Sequence, residues 1–120
     1  MLSHTRMLSW SAEINQSPVD VRAVTDTTID PLIPGGVALL RFTDAVLTRS
    51  ENIDATAEAA VAELGPRGLV NAAAVIGNFQ MMNRVADGTG MPTGKGTRVR
   101  HADLIELLGL ARIDHADDSR

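Results

Sequence analysis

Cysteine is absent from this chain. That one absence removes disulfides, thiolate metal ligands, thiol nucleophiles and dithiol redox pairs together. Aromatic residues are almost missing as well: Trp10, Phe42 and Phe79 are all there are. Sheets are built from β-branched and aromatic residues, whereas this chain is 44% hydrophobic and runs to alanine, as at Ala72–Ala74. The class expected is all-α. Excess positive charge is also lacking, with 11 basic against 15 acidic residues and a net charge of −4. No general positive field exists to hold a phosphate backbone, so nucleic acid is not an expected partner. Long apolar runs are the last thing missing. The opening MLSHTRMLSW does not resemble a signal peptide, and no segment reaches ~20 apolar residues without polar interruption. The expectation is a soluble cytoplasmic protein with no membrane partner.

What is present is a stretch of unusual character, GPRGLVNAAAVIGNFQMMNRVADGTGMP, from Gly65 to Pro92. It reads as a helix opened by Pro66 and apolar on almost every side, interrupted by Asn71, Asn78, Asn83 and Arg84. A helix of that kind needs burial on several faces at once. One small domain of short helices has difficulty covering every side of Leu69 to Ala86, so a homo-oligomer is expected.

The 120 residues suffice for one domain, read as 1–112 with a polar tail at 113–120. Residues 1–12 read as a short helix or the stub of a longer one, with Met7, Leu8 and Ala12 on an apolar side. Ser17, Pro18 and Asp20 have the form of a cap, a first-turn proline and a first-turn acid, predicting a short helix to about Val24. Pro31, Pro34, Gly35 and Gly36 mark a connection between Thr25 and Gly36. Val37, Leu40, Ala45 and Leu47 predict an amphipathic helix to Thr48. Asp54 would cap a further helix, Ala55 to Leu64, which Gly65 closes. Residues 87–97 read as a loop, and His101–Arg112 as a last helix with Leu104, Leu107, Leu108 and Ala111 on one side. TGKGT at Thr93–Thr97 fails as a phosphate loop. Such a loop needs glycine where Thr89 stands and Ser or Thr where Gly96 stands, and it must join a strand to a helix. A helix-turn-helix regulator is disfavoured by the acidity and by a long helix without exposed basic residues.

FTDAVLTR at Phe42–Arg49 and NFQMMNRVADGTGMP at Asn78–Pro92 resemble the carboxymuconolactone decarboxylase and alkylhydroperoxidase-like superfamily. The resemblance implies a helical fold that assembles as trimers or hexamers. SHTRMLSWSAEINQSPVDVRAV looks like the family stretch in which a histidine opens a helix, which puts His4 at the family's site histidine. Peroxidase members carry a Cys-x-x-Cys just before that position. This chain has no cysteine and starts three residues before His4, so it departs from the pattern there. Dithiol peroxide reduction is thereby excluded, since no thiolate exists to attack the peroxide. The resemblance then implies at most non-redox acid/base chemistry on a small lactone or keto acid, without a cofactor. The alternative is an oligomeric binding or scaffold protein that kept the fold and lost the site.

On that reading His4 is the catalytic candidate, imidazole being the side chain that exchanges protons near neutral pH. Against it stands an exposed histidine near a chain end. Asn78, Asn83 and Arg84 are the substrate-binding candidates. Asn78 and Asn83 are five residues apart and do not share a face, so one faces a cavity while the other caps or bridges. Arg84 either grips a substrate carboxylate through two hydrogen bonds or pairs with an acid such as Asp44 or Asp87. Met81 and Met82 read as core or subunit contact. His101 and His115 lack ligand spacing, and no metal is expected.

Overall fold

In the computed structural model, which describes residues 2–91 and 95–110, the chain is helix and turn, with no strand among the described residues. Helix α1 spans Leu2–Ile14, followed by one 3-10 turn at Val21–Val24. Helices α2 (Gly36–Thr48), α3 (Ile53–Thr89), α4 (Lys95–Arg100) and α5 (Ala102–Leu107) complete the order. The all-α class expected from composition is what forms.

α3 consists of two helical segments joined at Gly65, whose φ of 73° and ψ of 168° are non-helical. Only glycine takes that backbone region readily. Pro66 forces the residue before it towards an extended ψ and cannot donate a helical hydrogen bond, which matters little in a first turn. One helix therefore ends at Leu64 and a new one starts at Pro66, as the Gly-Pro pair predicts. At the far end Gly90 takes φ 64°, and its N–H donates to the carbonyls of Ala86 and Asp87. Met91 donates to Ala86 as well, at 2.9 Å, closing the end in the left-handed manner usual for glycine. The expected loop at 87–97 is accordingly shorter. Asp87, Gly88 and Thr89 remain helical, helped by a 2.7 Å bond from Thr89 Oγ1 to the Val85 carbonyl. Lys95–Thr97 belong to α4, and Pro92–Gly94 lie outside the described residues.

Two caps differ from expectation. The turn at Val21–Val24 is capped by Asp20, which accepts from the Arg22 amide at 3.0 Å. Ser17 does not cap it. Ser17 Oγ instead donates to the Asn15 carbonyl, and the backbone at Pro18 is not helical. The Asp20 carboxylate also holds the Arg22 guanidinium, and the Asp20 amide donates to Pro31 across the following connection. That leaves too little chain for more than a single turn. Asp54 likewise lies inside the first turn of α3, and Asn52 occupies the cap position without a side-chain bond.

The core sits where α2 packs on α3. Phe42, Ala45 and Ala60 are buried there, while Val37 and Leu47, expected on the apolar face, stay substantially exposed. Phe42 and Ala45 lie three residues apart on one helical face. Gly35 makes the approach possible: it takes φ 68°, and a Cβ there would meet Leu64 Cδ2 at 2.6 Å. A second cluster joins the chain ends. Arg6 Nη2 lies 2.6 and 2.5 Å from the two oxygens of Asp103, tying α1 to α5, and Leu104 and Leu108 are buried one turn apart. On α1 Thr5 is buried, whereas Met7 and Leu8, expected on its apolar side, are exposed. The last helix, expected from His101 to Arg112, is α5, which ends at Leu107 with that residue exposed, and the separate α4 precedes it across His101. Ala111, His115 and the tail at 113–120 lie outside the described residues.

Candidate functional site

The second segment of α3 passes beside α2, and between them lies an open groove of about 550 Å³. Leu39, Thr43 and Leu47 form the α2 wall. They follow at intervals of four residues, one row along the helix surface. Ala72, Val75, Ile76 and Phe79 form most of the α3 wall. Gly68 leaves space at one end, and Asn71, Gln80 and Asn83 supply amide groups along the edge. A largely apolar concavity with a few convergent polar groups is the usual form of a small-molecule site, and this volume falls within the ordinary ~300–1,000 Å³ range.

His4, on α1, does not line this groove but contacts one residue that does, Phe79. Its ring stands edge-on to Phe79, with centroids 5.1 Å apart and planes at 90°, the favoured arrangement for two π-systems. The imidazole is exposed to solvent, so a proton on it can exchange with water.

The four residues singled out from the sequence do not gather at one point. Asn83 lines the groove and His4 touches its Phe79 wall. Asn78 does not line it; its Nδ2 is directed at Met82 Sδ, 3.8 Å away. Five residues of helix turn the two asparagines roughly 140° apart at ~100° per residue, which separates their surroundings. Arg84 is also off the groove, by the same rotation from Phe79, and is exposed. Its expected ion pair with Asp44 or Asp87 does not form. Among the described residues the ion pairs are Arg6–Asp103 and Asp20–Arg22. Because Arg84 stays in solvent, it has no desolvation penalty for a partner to offset.

Reading residues singly missed Phe79 and the α2 row of Leu39, Thr43 and Leu47. Phe79 carried one usable signal, being one of two phenylalanines in the chain. The α2 row carried a four-residue spacing, but nothing in the sequence marks which helix faces it.

A second concavity of about 480 Å³ lies at the start of α3, with a lining about evenly divided between polar and apolar surface. Arg41, Asp44, Ser50 and Asn52 line it, with Thr27 and Thr56. Ser50 Oγ donates to Asn52 Oδ1 within it at 2.7 Å. No group of three His, Cys, Asp or Glu side chains comes together among the described residues to hold a metal ion.

Three carboxylates are perturbed, and none of them lines either concavity. Asp103 is held below the usual carboxylate range chiefly by its hydrogen bond from Arg6. Asp20 is lowered in the same way by Arg22, and Asp26 by the hydroxyl and amide of Thr28. His101 is buried, and its Nδ1 has no hydrogen-bond partner among the described residues.

One helix, α3, is long and apolar enough by length and composition to cross a membrane. Its uncharged run from Gly68 to Asn83 carries Asn71, Asn78, Gln80 and Asn83. That run spans about 24 Å at 1.5 Å per residue, short of the roughly 30 Å hydrocarbon core. Comparison of the chain with protein-family models, with curated proteins and with solved structures returns no match.

Proposed function

We propose that this chain is a carboxymuconolactone decarboxylase-like helical protein, oligomeric and cytoplasmic, that binds a small lactone or keto acid in the α2–α3 groove. The observation that carries this is the placement of His4 edge-on to Phe79 at the wall of an apolar groove otherwise edged by amides. The ligand class comes from the resemblance of Phe42–Arg49 and Asn78–Pro92 to that superfamily, and its size from the groove. A lactone presents an apolar ring to Val75, Ile76 and Phe79, and its carbonyl can accept from Asn71 or Asn83. His4 is then the residue placed to carry a proton to or from the ligand. The chemistry involves no thiol, because the chain has none.

A second reading, a binding or scaffold protein without turnover, is favoured by the positions of Arg84 and Asn78. Both stand off the groove, which removes the guanidinium expected to grip a substrate carboxylate and leaves His4 with an aromatic neighbour.

One experiment addresses both. Titrate the intact protein with a panel of small lactones and keto acids, following amide NMR shifts, and assay turnover of each compound. Shifts confined to residues around Phe79, weakened by Phe79→Ala, support the groove as the site. Turnover that His4→Ala abolishes while binding persists supports acid/base chemistry. Binding without turnover in the wild type leaves the second reading, and no shift in the groove with any compound sinks both.

A further inference from the structure

None of the residues lining the α2–α3 groove carries a charge. The chain has no charged residue between Arg67 and Arg84, and the charged residues beside the α2 row, Arg41 and Asp44, line the other concavity. Arg84 stands off the groove, and His4 meets its wall at Phe79 with the imidazole in solvent. A carboxylate settling against Val75, Ile76 and Phe79 would therefore give up water without gaining a cation. An uncharged group of the same size avoids that cost.

Side-chain amides reach the groove instead, and helix geometry sorts them. At ~100° and ~1.5 Å per residue, Asn71 and Gln80 lie half a turn apart round α3, on opposite rims, and ~13 Å apart along it. Gln80 and Asn83 are only ~60° and ~4.5 Å apart by the same helical rise and rotation. They stand at the end of the groove where Phe79 meets His4. Neither has a hydrogen-bond partner among the described residues. Each amide has two N–H donors, and a neutral carbonyl oxygen has two lone pairs to receive them. A small ring held at this end by both amides is out of reach of Asn71.

We infer that the groove selects an uncharged ester over a carboxylate, with the Gln80 and Asn83 amides as the groups that recognise the ester carbonyl. This rests on the groove being the ligand site proposed above. It narrows the ligand from a lactone or keto acid to the neutral lactone or ester, and it makes Gln80 a specificity-determining residue.

The test uses a matched pair, 4-oxopentanoate and its methyl ester, which share one skeleton and differ in charge, with δ-valerolactone alongside. NMR titration of the intact protein at neutral pH, read at the amides around Phe79, should show the methyl ester binding at least about tenfold tighter than the anion. Equal affinity, or tighter binding of the anion, overturns the selection while leaving the groove as a site. Shifts there with none of the three compounds overturn the groove reading and this inference together. Gln80→Lys places a cation on the rim with a residue that suits a helix. It should move the ratio of ester to anion affinity at least about tenfold towards the anion; a ratio it leaves unmoved shows that charge is not what selects. Gln80→Leu and Asn83→Leu should each weaken ester and lactone binding about threefold or more through the lost donor. Affinities indifferent to both substitutions overturn the amide pair.

Discussion

The two segments of α3, on either side of the joint at Gly65, have opposite surroundings. Before Gly65, Ile53–Leu64 lies on α2 and buries Ala60 completely. After it, Pro66–Thr89 carries Val70, Val75, Met81, Met82 and Val85 largely in solvent. Composition contributes to the difference, since Ile53–Leu64 is rich in alanine and carries Asp54, Glu58 and Glu63 whereas Pro66–Thr89 is uncharged from Gly68 to Asn83 and carries the larger aliphatic side chains. The rest of the explanation is supply. The chain has one other long helix near α3, and α2 covers one flank of it only. Apolar surface on the second segment exceeds what the rest of the described molecule covers, and the excess lies on opposite sides of the helix: a groove towards α2 and an exposed face away from it. Large contiguous apolar surface of this kind ordinarily marks a binding face.

The contrast can be broken or sharpened by substitution. Phe42→Ala removes the largest buried side chain on the α2 side and should cost about 3–5 kcal/mol in urea denaturation; a loss below about 1 kcal/mol would mean the covered half is not a core. Gly65→Ala comes next. A Cβ there meets no neighbour within 4 Å, so the cost is conformational, about 1–3 kcal/mol for a non-glycine residue held at that φ and ψ. An unchanged midpoint would show that the joint between the halves can relax. The direct comparison is Ala60→Leu against Ala74→Leu. The first overpacks a filled site and should cost about 1–3 kcal/mol. The second, measured dilute enough to keep the chain monomeric, should stay within about 0.5 kcal/mol. Equal effects would erase the distinction.

The smallest effect concerns pH at the α1–α5 contact. The Asp103 carboxyl is lowered in the folded state by its bond from Arg6. Its contribution is therefore complete above the unfolded value near ~3.9 and is lost as pH falls through the lower folded value. Thermal melts of the wild type and Arg6→Ala should differ at pH 6 and converge towards pH 3. A difference that persists unchanged in acid would show that Arg6 acts through packing of its stem instead.

Much of the local architecture was legible because short-range chemistry sets it. Gly65 followed by Pro66 can hardly continue a helix, so the joint in α3 could be read directly. Gly35 and Gly36 marked the start of α2 for the same reason. The caps were harder. Ser17 and Asp20 are both good caps, and only the Asp20 amide bond to Pro31 decides that the turn begins at Val21. The end of α3 was also hidden, since Gly88 and Gly90 compete to stop it and the closure at Gly90 wins by satisfying two carbonyls.

The candidate site was less legible. Helical rotation alone separates Asn78 from Asn83, and that separation was available from their spacing. Which of them faces the groove was not, because that depends on where α2 lies. His4 could be singled out as a histidine, but its contact with Phe79 joins residues far apart in the chain.

From the sequence alone follow the helical class, the joint at Gly65–Pro66, the exclusion of thiol chemistry and an excess of apolar surface between Leu69 and Ala86. Each depends on residue identity or on neighbours within a few positions, where backbone sterics and side-chain chemistry act directly. The tertiary structure alone decides which side of α3 is covered, that His4 stands at Phe79 and that Arg84 remains in solvent. Those outcomes depend on how helices distant in sequence share one limited supply of covering surface, and no local pattern encodes that.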